Sequence, residues 1–281
     1  MTSKYYYLVA GLPELSLEDN KLSYTVADFK TEFYPFLTAG DRKLFDLFYL
    51  QYDNANVLAM LRQQEALLDK RGCFTGEQLE EAIATLKEAD TLPDTILPCY
   101  LSKFIYDYFH TESADNQILL EDKLAGLYYA YAMKCSNRFV AQWYDFNLTV
   151  NNILVALTAR KYKLPVAAAV VGDTPICQAL KTSTVRDFGL SGEFDYFDAL
   201  VKISETSNLM EKERKVDQMR WKWMEEASFF NYFTVERLYV FLLQIEMIER
   251  WISLDKEKGN QMFRQLIASL KEEVKIPAEF R

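Results

Sequence analysis

A single histidine, His110, stands in the 281 residues of this chain, and it sets the first bound on chemistry. Metal-dependent phosphohydrolase bundles draw on several His ligands, and a ferritin-like di-iron site needs two Glu-x-x-His pairs, so neither can be assembled. The four cysteines, Cys73, Cys99, Cys135 and Cys177, are scattered, without a Cys-x-x-Cys pair for zinc or thiol exchange. They read as free thiols of a reducing compartment. A phosphate-cradling glycine loop is missing, which removes nucleotide hydrolysis by that route. Carboxylates are plentiful, but the pairs Glu80-Glu81 and Glu225-Glu226 have the pattern of exposed helix faces. The Asp-rich metal motif of helical prenyl-transfer or terpene-forming enzymes is also missing. His110 closes an apolar helix, where an imidazole caps carbonyls or faces water. No catalytic, cofactor-binding or metal-binding residue is therefore assigned, and no cofactor is expected.

Composition narrows the partners. A net charge of -9 disfavours nucleic acid, whose binding rests on clustered Lys and Arg. The densest basic stretch, Lys212, Arg214, Lys215, Arg220 and Lys222, is interrupted by Glu211, Glu213 and Asp217 and reads as a solvated helix face. Residues 1–12 lack the apolar core and small-residue cleavage site of a signal peptide, and no run reaches the roughly 20 apolar residues that span a bilayer. The Asn147-Leu148-Thr149 sequon is then a coincidence in a cytoplasmic chain.

The elements that must hold these residues are helices. Only 9 Gly and 7 Pro occur, too few for the tight turns of a β-sandwich or barrel. Thr38-x-x-Asp41 opens a helix on Leu44, Leu47 and Phe48, and Thr75-x-x-Gln78 opens another on Leu79, Ile83 and Leu86. Lys70-Arg71-Gly72 is expected to close a helix that begins near Asp53. Pro93 and Pro98 bracket a connection to a helix on Leu101, Phe104 and Ile105. Apolar periodicity continues from about Asn116 through Tyr131 and from Phe139 to Lys161, until Pro165 stops it. Val166–Val171 fits a helix or a short strand. Thr174-Pro175 is a cap followed by a first-turn proline. Gly189 and Gly192 mark a loop, and helix signals return near Glu193. The stretches 110–115 and 163–192 are the candidate boundaries.

The C-terminal quarter carries the most information. Glu211–Arg220 reads as one helix. From Thr234, residues Leu238, Phe241, Leu242, Ile245, Ile248 and Ile252 form an apolar stripe, with Glu236, Arg237, Glu246, Glu249 and Arg250 on a charged opposite face. Glu246 and Arg250 stand four apart in the favoured order. The turn ending in Lys258-Gly259 is expected to stop this helix, Gly259 suiting a left-handed residue past a helix end. A last helix follows on Met262, Phe263, Leu266, Ile267 and Leu270.

This succession resembles the end of the C-subunit family of V/A-type rotary ATPases, called the d subunit in vacuolar enzymes, with Glu211, Glu213 and Asp217, then Tyr239, Glu246, Glu249 and Arg250, then Lys258 and Gly259 at the matching positions. The family also repeats a unit in which an acidic residue precedes an Asn opening an apolar run. Asp53, Asn56, Val57, Leu58 and Leu61 fit it, and Asn152, Ile153, Leu154 and Leu157 repeat it 96 residues later, with Asp145 upstream. Tyr5-Tyr6-Tyr7-Leu8 resembles the family's aromatic start, although Gly11-Leu12-Pro13 replaces a basic helix. The pattern is that of a divergent bacterial branch.

The resemblance implies an all-α fold, a funnel-like assembly of three related helical bundles over residues 1–110, 111–192 and 193–281 that form one continuous unit. It implies a non-catalytic central-rotor adaptor that links the central stalk to the membrane rotor ring and transmits torque for proton or sodium transport. Such a chain is cytoplasmic and peripheral to the inner membrane through the ATPase complex. Asp53, Asn56, Asp145, Asn152, Asp217, Glu246, Glu249 and Arg250 are its motif or interface candidates. The net charge adds the expectation of an acidic cavity for a basic stalk tip. A soluble helical scaffold unrelated to rotary ATPases is the competing reading, and a helical enzyme the third.

Overall fold

The computed structural model describes the backbone of residues 5–64, 67–111 and 119–273, and side chains as far as Lys256. Twelve α-helices and one 3-10 turn are found there, and no strand. They are α1 (Tyr6–Ala10), α2 (Val26–Phe33), α3 (Ala39–Leu61), α4 (Gly76–Glu88), α5 (Cys99–His110), α6 (Leu120–Ala132), α7 (Arg138–Lys161), α8 (Val166–Ala169), α9 (Pro175–Thr182), α10 (Phe197–Ser204), α11 (Leu209–Ala227) and α12 (Val235–Glu273).

The starts follow from local chemistry. Thr38, Thr75 and Thr174 accept from the backbone N–H three residues on, so each satisfies an orphan donor at a helix start. At Thr75 the Gln78 side chain returns the bond, completing the expected capping box. Val166–Ala169 is a single helical turn, which resolves the ambiguity of that segment.

Three expectations are corrected. Asp53 is not at a helix start but inside α3, and Lys70-Arg71-Gly72 lies in the connection after it. The apolar residues Leu44–Leu50 and Val57–Leu61 fall in one unbroken helix, which is buried over most of its circumference along the first run. At the C-terminus α12 runs through Lys258 and Gly259 without a break. A mid-helix glycine costs only about 1 kcal/mol against alanine and does not stop a helix unaided. With 39 residues, α12 is roughly 58 Å long at 1.5 Å per residue.

The third correction is the face of α12. Leu238–Leu243 is an unbroken buried run, Ile245, Met247, Ile248 and Trp251 are buried too, and the helix packs on α2, α7 and α11. Glu236 is also buried, accepting from Asn137 Nδ2 at 2.7 Å. Of the supposed solvated face Glu236 is buried, and Arg237, Glu246, Glu249 and Arg250 are half-buried, so the helix is covered over more of its circumference than an apolar stripe alone requires. Buried side chains from α2 through α12 form one contiguous core. At its middle Tyr128, Tyr144 and Tyr239 link hydroxyls at 3.0 Å each, and Tyr128 donates to the Leu47 carbonyl at 2.7 Å. This chain of bonds ties α3, α6, α7 and α12 together. Burial holds all three phenols well above their ordinary pKa, so they stay protonated as donors.

The order of elements recurs. α7 begins at residue 138 and α3 at 39, a spacing of 99, and Thr174 caps α9 at the same spacing after Thr75 caps α4. α10 begins 98 residues after α5, at 197 against 99. α12 then begins 97 residues after α7, at 235 against 138.

Candidate functional site

Each of the first two long helices carries an asparagine that grips the connection following it. Asn56 Nδ2 donates to the Asp69 carbonyl at 2.9 Å while its Oδ1 accepts from Asp69 N at 2.8 Å. Asn152 does the same at Val171, donating at 2.7 Å and accepting at 2.9 Å. A primary amide suits this work because it presents one donor and one acceptor side by side, matching a peptide unit in extended backbone. Both asparagines are buried, so the bonds also cancel the cost of burying the amide. Asn56 sits mid-helix, away from any first turn, and acts at long range.

The first clasp has a second part. Asp53, fully buried, accepts from Cys73 N at 2.7 Å and from Phe74 N at 3.2 Å. Gly72 lies so close that an added Cβ would meet Asp53 Oδ1 at 2.3 Å, which explains glycine there. Desolvation raises the Asp53 carboxyl, with the two N–H donors working against it. Lys30 of α2 donates to the Gly72 carbonyl at 2.6 Å. Arg71 pairs with Asp69 through Nη2 at 2.6 Å, lies over the Tyr52 ring at 4.1 Å and reaches Glu249 Oε1 at 4.0 Å. Glu249 also accepts from Val26 N at 3.0 Å, the first N–H of α2. Glu249 is therefore a joint between α12, α2 and the first clasp. Asp145, by contrast, is on the outer side of α7 and joins neither clasp.

The third cluster pins α11 to α12. Asp217, fully buried, accepts from Arg220 Nη1 at 3.2 Å, from Trp251 Nε1 at 2.8 Å and from Arg250. Arg250 thus serves Asp217 rather than the Glu246 four residues before it. Arg220 also donates to Asn151 Oδ1 at 2.7 Å, linking α11 to α7 beside the Asn152 clasp. A polar cleft of about 190 Å3 opens here, lined by Asp217, Arg220, Glu246, Arg250, Asn147 and Asn151 among others. Desolvation raises the Glu246 carboxyl, opposed by Arg250 and reinforced by Asp217. With both oxygens of Asp217 bonded, Glu246 is the acid of the cleft that makes no ion pair among the described residues.

The structure therefore brings Asp217, Glu246 and Arg250 into one cluster and joins Asn56 to Glu249 through Asp69 and Arg71. Arg220, Trp251 and Asn151 were not anticipated as functional. For Arg220 a signal was present: Asp217, Arg220, Trp221 and Met224 recur at three-and-four spacing, placing the acid and the arginine on the face that α11 buries. His110, the last residue of α5, stacks on Tyr106 at 4.2 Å with Nδ1 at 2.9 Å from the Tyr106 carbonyl. All four cysteines are free thiols. No group of three or more His, Cys, Asp and Glu suited to a metal ion occurs among the described residues.

Buried amide clasps and a buried ion cluster at the joints of long helices define a mostly helical, strand-free class of protein over the described residues. Residues 1–274 match a family described as protein of unknown function (DUF2764), and the chain belongs to that family. No curated protein and no solved structure matches the chain. Among the described residues no helix is long and apolar enough to cross a membrane.

Proposed function

We propose that this chain is the central-rotor adaptor of a V/A-type ATPase or ATP synthase, seated between central stalk and membrane ring and passing torque between them. In this reading it performs no bond chemistry, stands at the cytoplasmic side of the membrane through the complex, and forms a funnel of three related bundles over 1–110, 111–192 and 193–281. The observation that carries the reading is the recurrence of a long helix, a connection clasped by Asn and a Thr-capped helix, with the helix starts and Thr caps 99 residues apart and the asparagines 96 apart, followed 97 residues later by a third long helix.

The physical requirement of a torque carrier is stiffness, and the joints supply it. Each clasp removes freedom from a connection that would otherwise bend, and the Asp217 cluster does the same between α11 and α12. Purification of the native protein from membranes in mild detergent tests the reading. Co-migration with ring and stalk subunits is expected; migration as a monomer free of both would favour the scaffold reading instead.

A further inference from the structure

We propose that a groove between α3, α5 and α6 binds a free single-chain anionic amphiphile, an acyl chain ending in a carboxylate. The groove is a cavity of about 740 Å3, within the range of roughly 300–1,000 Å3 typical of small-molecule sites. Leu44, Leu47, Leu127 and Ala130 give it an apolar wall, and Leu92 on its border is an exposed leucine that an acyl chain would cover. The charged residues that line it are Lys43, Lys103 and Lys134, and no acid is among them, although the chain holds 41 acidic and 32 basic residues.

The three lysines come from α3, α5 and the residue pair after α6, so their meeting is a product of the fold and not of a basic run. All three are exposed, and none forms an ion pair among the described residues. The acids around them belong to other recesses. Asp46 feels Lys43 and lines a neighbouring cavity that Lys43 also borders, accepting from the Tyr34 hydroxyl at 3.1 Å, and Asp107 and Asp122 line a separate cavity that Lys103 also borders. Lysine suits the task, since its stem lies along apolar surface while its ammonium stays at the water edge and meets a carboxylate. A recess of this kind accepts the end of a chain, whereas a bilayer surface meets convex patches.

The test uses the full chain and 11-(dansylamino)undecanoate as the fluorescent probe, below micelle-forming concentrations. Saturable binding is expected, with displacement by dodecanoate at least tenfold better than by dodecanol, which has the same chain without the charge. The triple variant K43Q/K103Q/K134Q alters only exposed side chains, so it should melt as the parent does yet lose at least tenfold in affinity for dodecanoate. Dodecanoate should also slow alkylation of Cys99, an exposed thiol lining the groove. Equal displacement by dodecanol, or undiminished binding by the triple variant, overturns the proposal. So does binding to anionic phospholipid vesicles without binding of monomeric dodecanoate, which would assign the lysines to a membrane surface.

Discussion

The connections after α3 and after α7 are gripped by the same side chain in the same way, yet they are built from different chemistry around it. At the first, Asn56 works beside a buried carboxylate, Asp53, and an ionic relay runs through Asp69 and Arg71 to Glu249 on α12. At the second, Asn152 works beside a neutral partner, with Cys177 Sγ at 3.2 Å from its amide nitrogen, and Gly172 turning the chain at φ +85°. Both places have the amide; only the first has a buried carboxylate beside it. A lysine donates to the glycine carbonyl at both connections, Lys30 to Gly72 and Lys181 to Gly172, each at 2.6 Å, so the difference lies in the buried carboxylate and the ionic relay, which appear where the clasp is also a junction with α12. Among the described residues α12 shows no such clasp, and Asp217 of α11 holds it through two bonds, from Arg250 and from Trp251 Nε1.

The hardest way to break this comparison is at α12. Asp217→Ala would leave Arg220, Arg250 and Trp251 Nε1 facing one another without their shared acceptor, and a loss of about 3–5 kcal/mol is expected by urea unfolding. A loss below about 1 kcal/mol would show that charge does not pin this helix.

Next come the clasps themselves. Asn152→Ala strips partners from the Val171 N–H and C=O, and Asn56→Ala does so at Asp69, each costing about 2–3 kcal/mol. Asn→Asp is the sharper probe, since a carboxylate keeps the acceptor and loses the donor. It should recover part of the loss, and full recovery would mean that the donated bond is idle.

The glycines separate the two connections. Gly72→Ala drives a methyl into the buried Asp53 carboxylate and should cost about 1–3 kcal/mol through packing. Gly172→Ala meets Leu148 Cδ2 at 3.2 Å and also requires positive φ, costing about 1–2 kcal/mol through the backbone. Gly172→Asn should be milder than Gly172→Ala if the left-handed backbone dominates, and that order of melting temperatures decides it.

The smallest expected effect is on pH dependence. Burial raises Glu246 above its ordinary 4.5. A carboxyl with a raised folded-state value contributes stability that is complete below the unfolded value and is lost as pH climbs through the folded one. Glu246→Gln should therefore flatten the decline in melting temperature above about pH 4.5. Asp53, raised above 3.8, has the same sign, whereas Asp69, lowered by Arg71, contributes stability above 3.8 that disappears on acidification. Opposite slopes for Asp53→Asn and Asp69→Asn would locate both effects within the first clasp.

Much of this was written in residue order. Sparse Gly and Pro, the Thr caps and the three-and-four apolar spacing determine that the chain is helical and where several helices begin, because these are interactions among residues a few positions apart. Asn152 was visible as a polar residue inside an apolar run, which marked it as needing a partner, whereas Asn56 read as a residue near a helix start and is in fact deep inside α3. Which partners, the tertiary structure alone decided: Asp69 and Val171 lie 13 and 19 residues away, and extended connections offer no periodic signal. The interior position of α12 was equally hidden, since a glutamate that caps another helix and one that faces water have the same local sequence. Asp217 and Arg250, 33 residues apart, became a pair only when two helices packed with their polar groups at one level, a condition set by burial of the apolar faces around them.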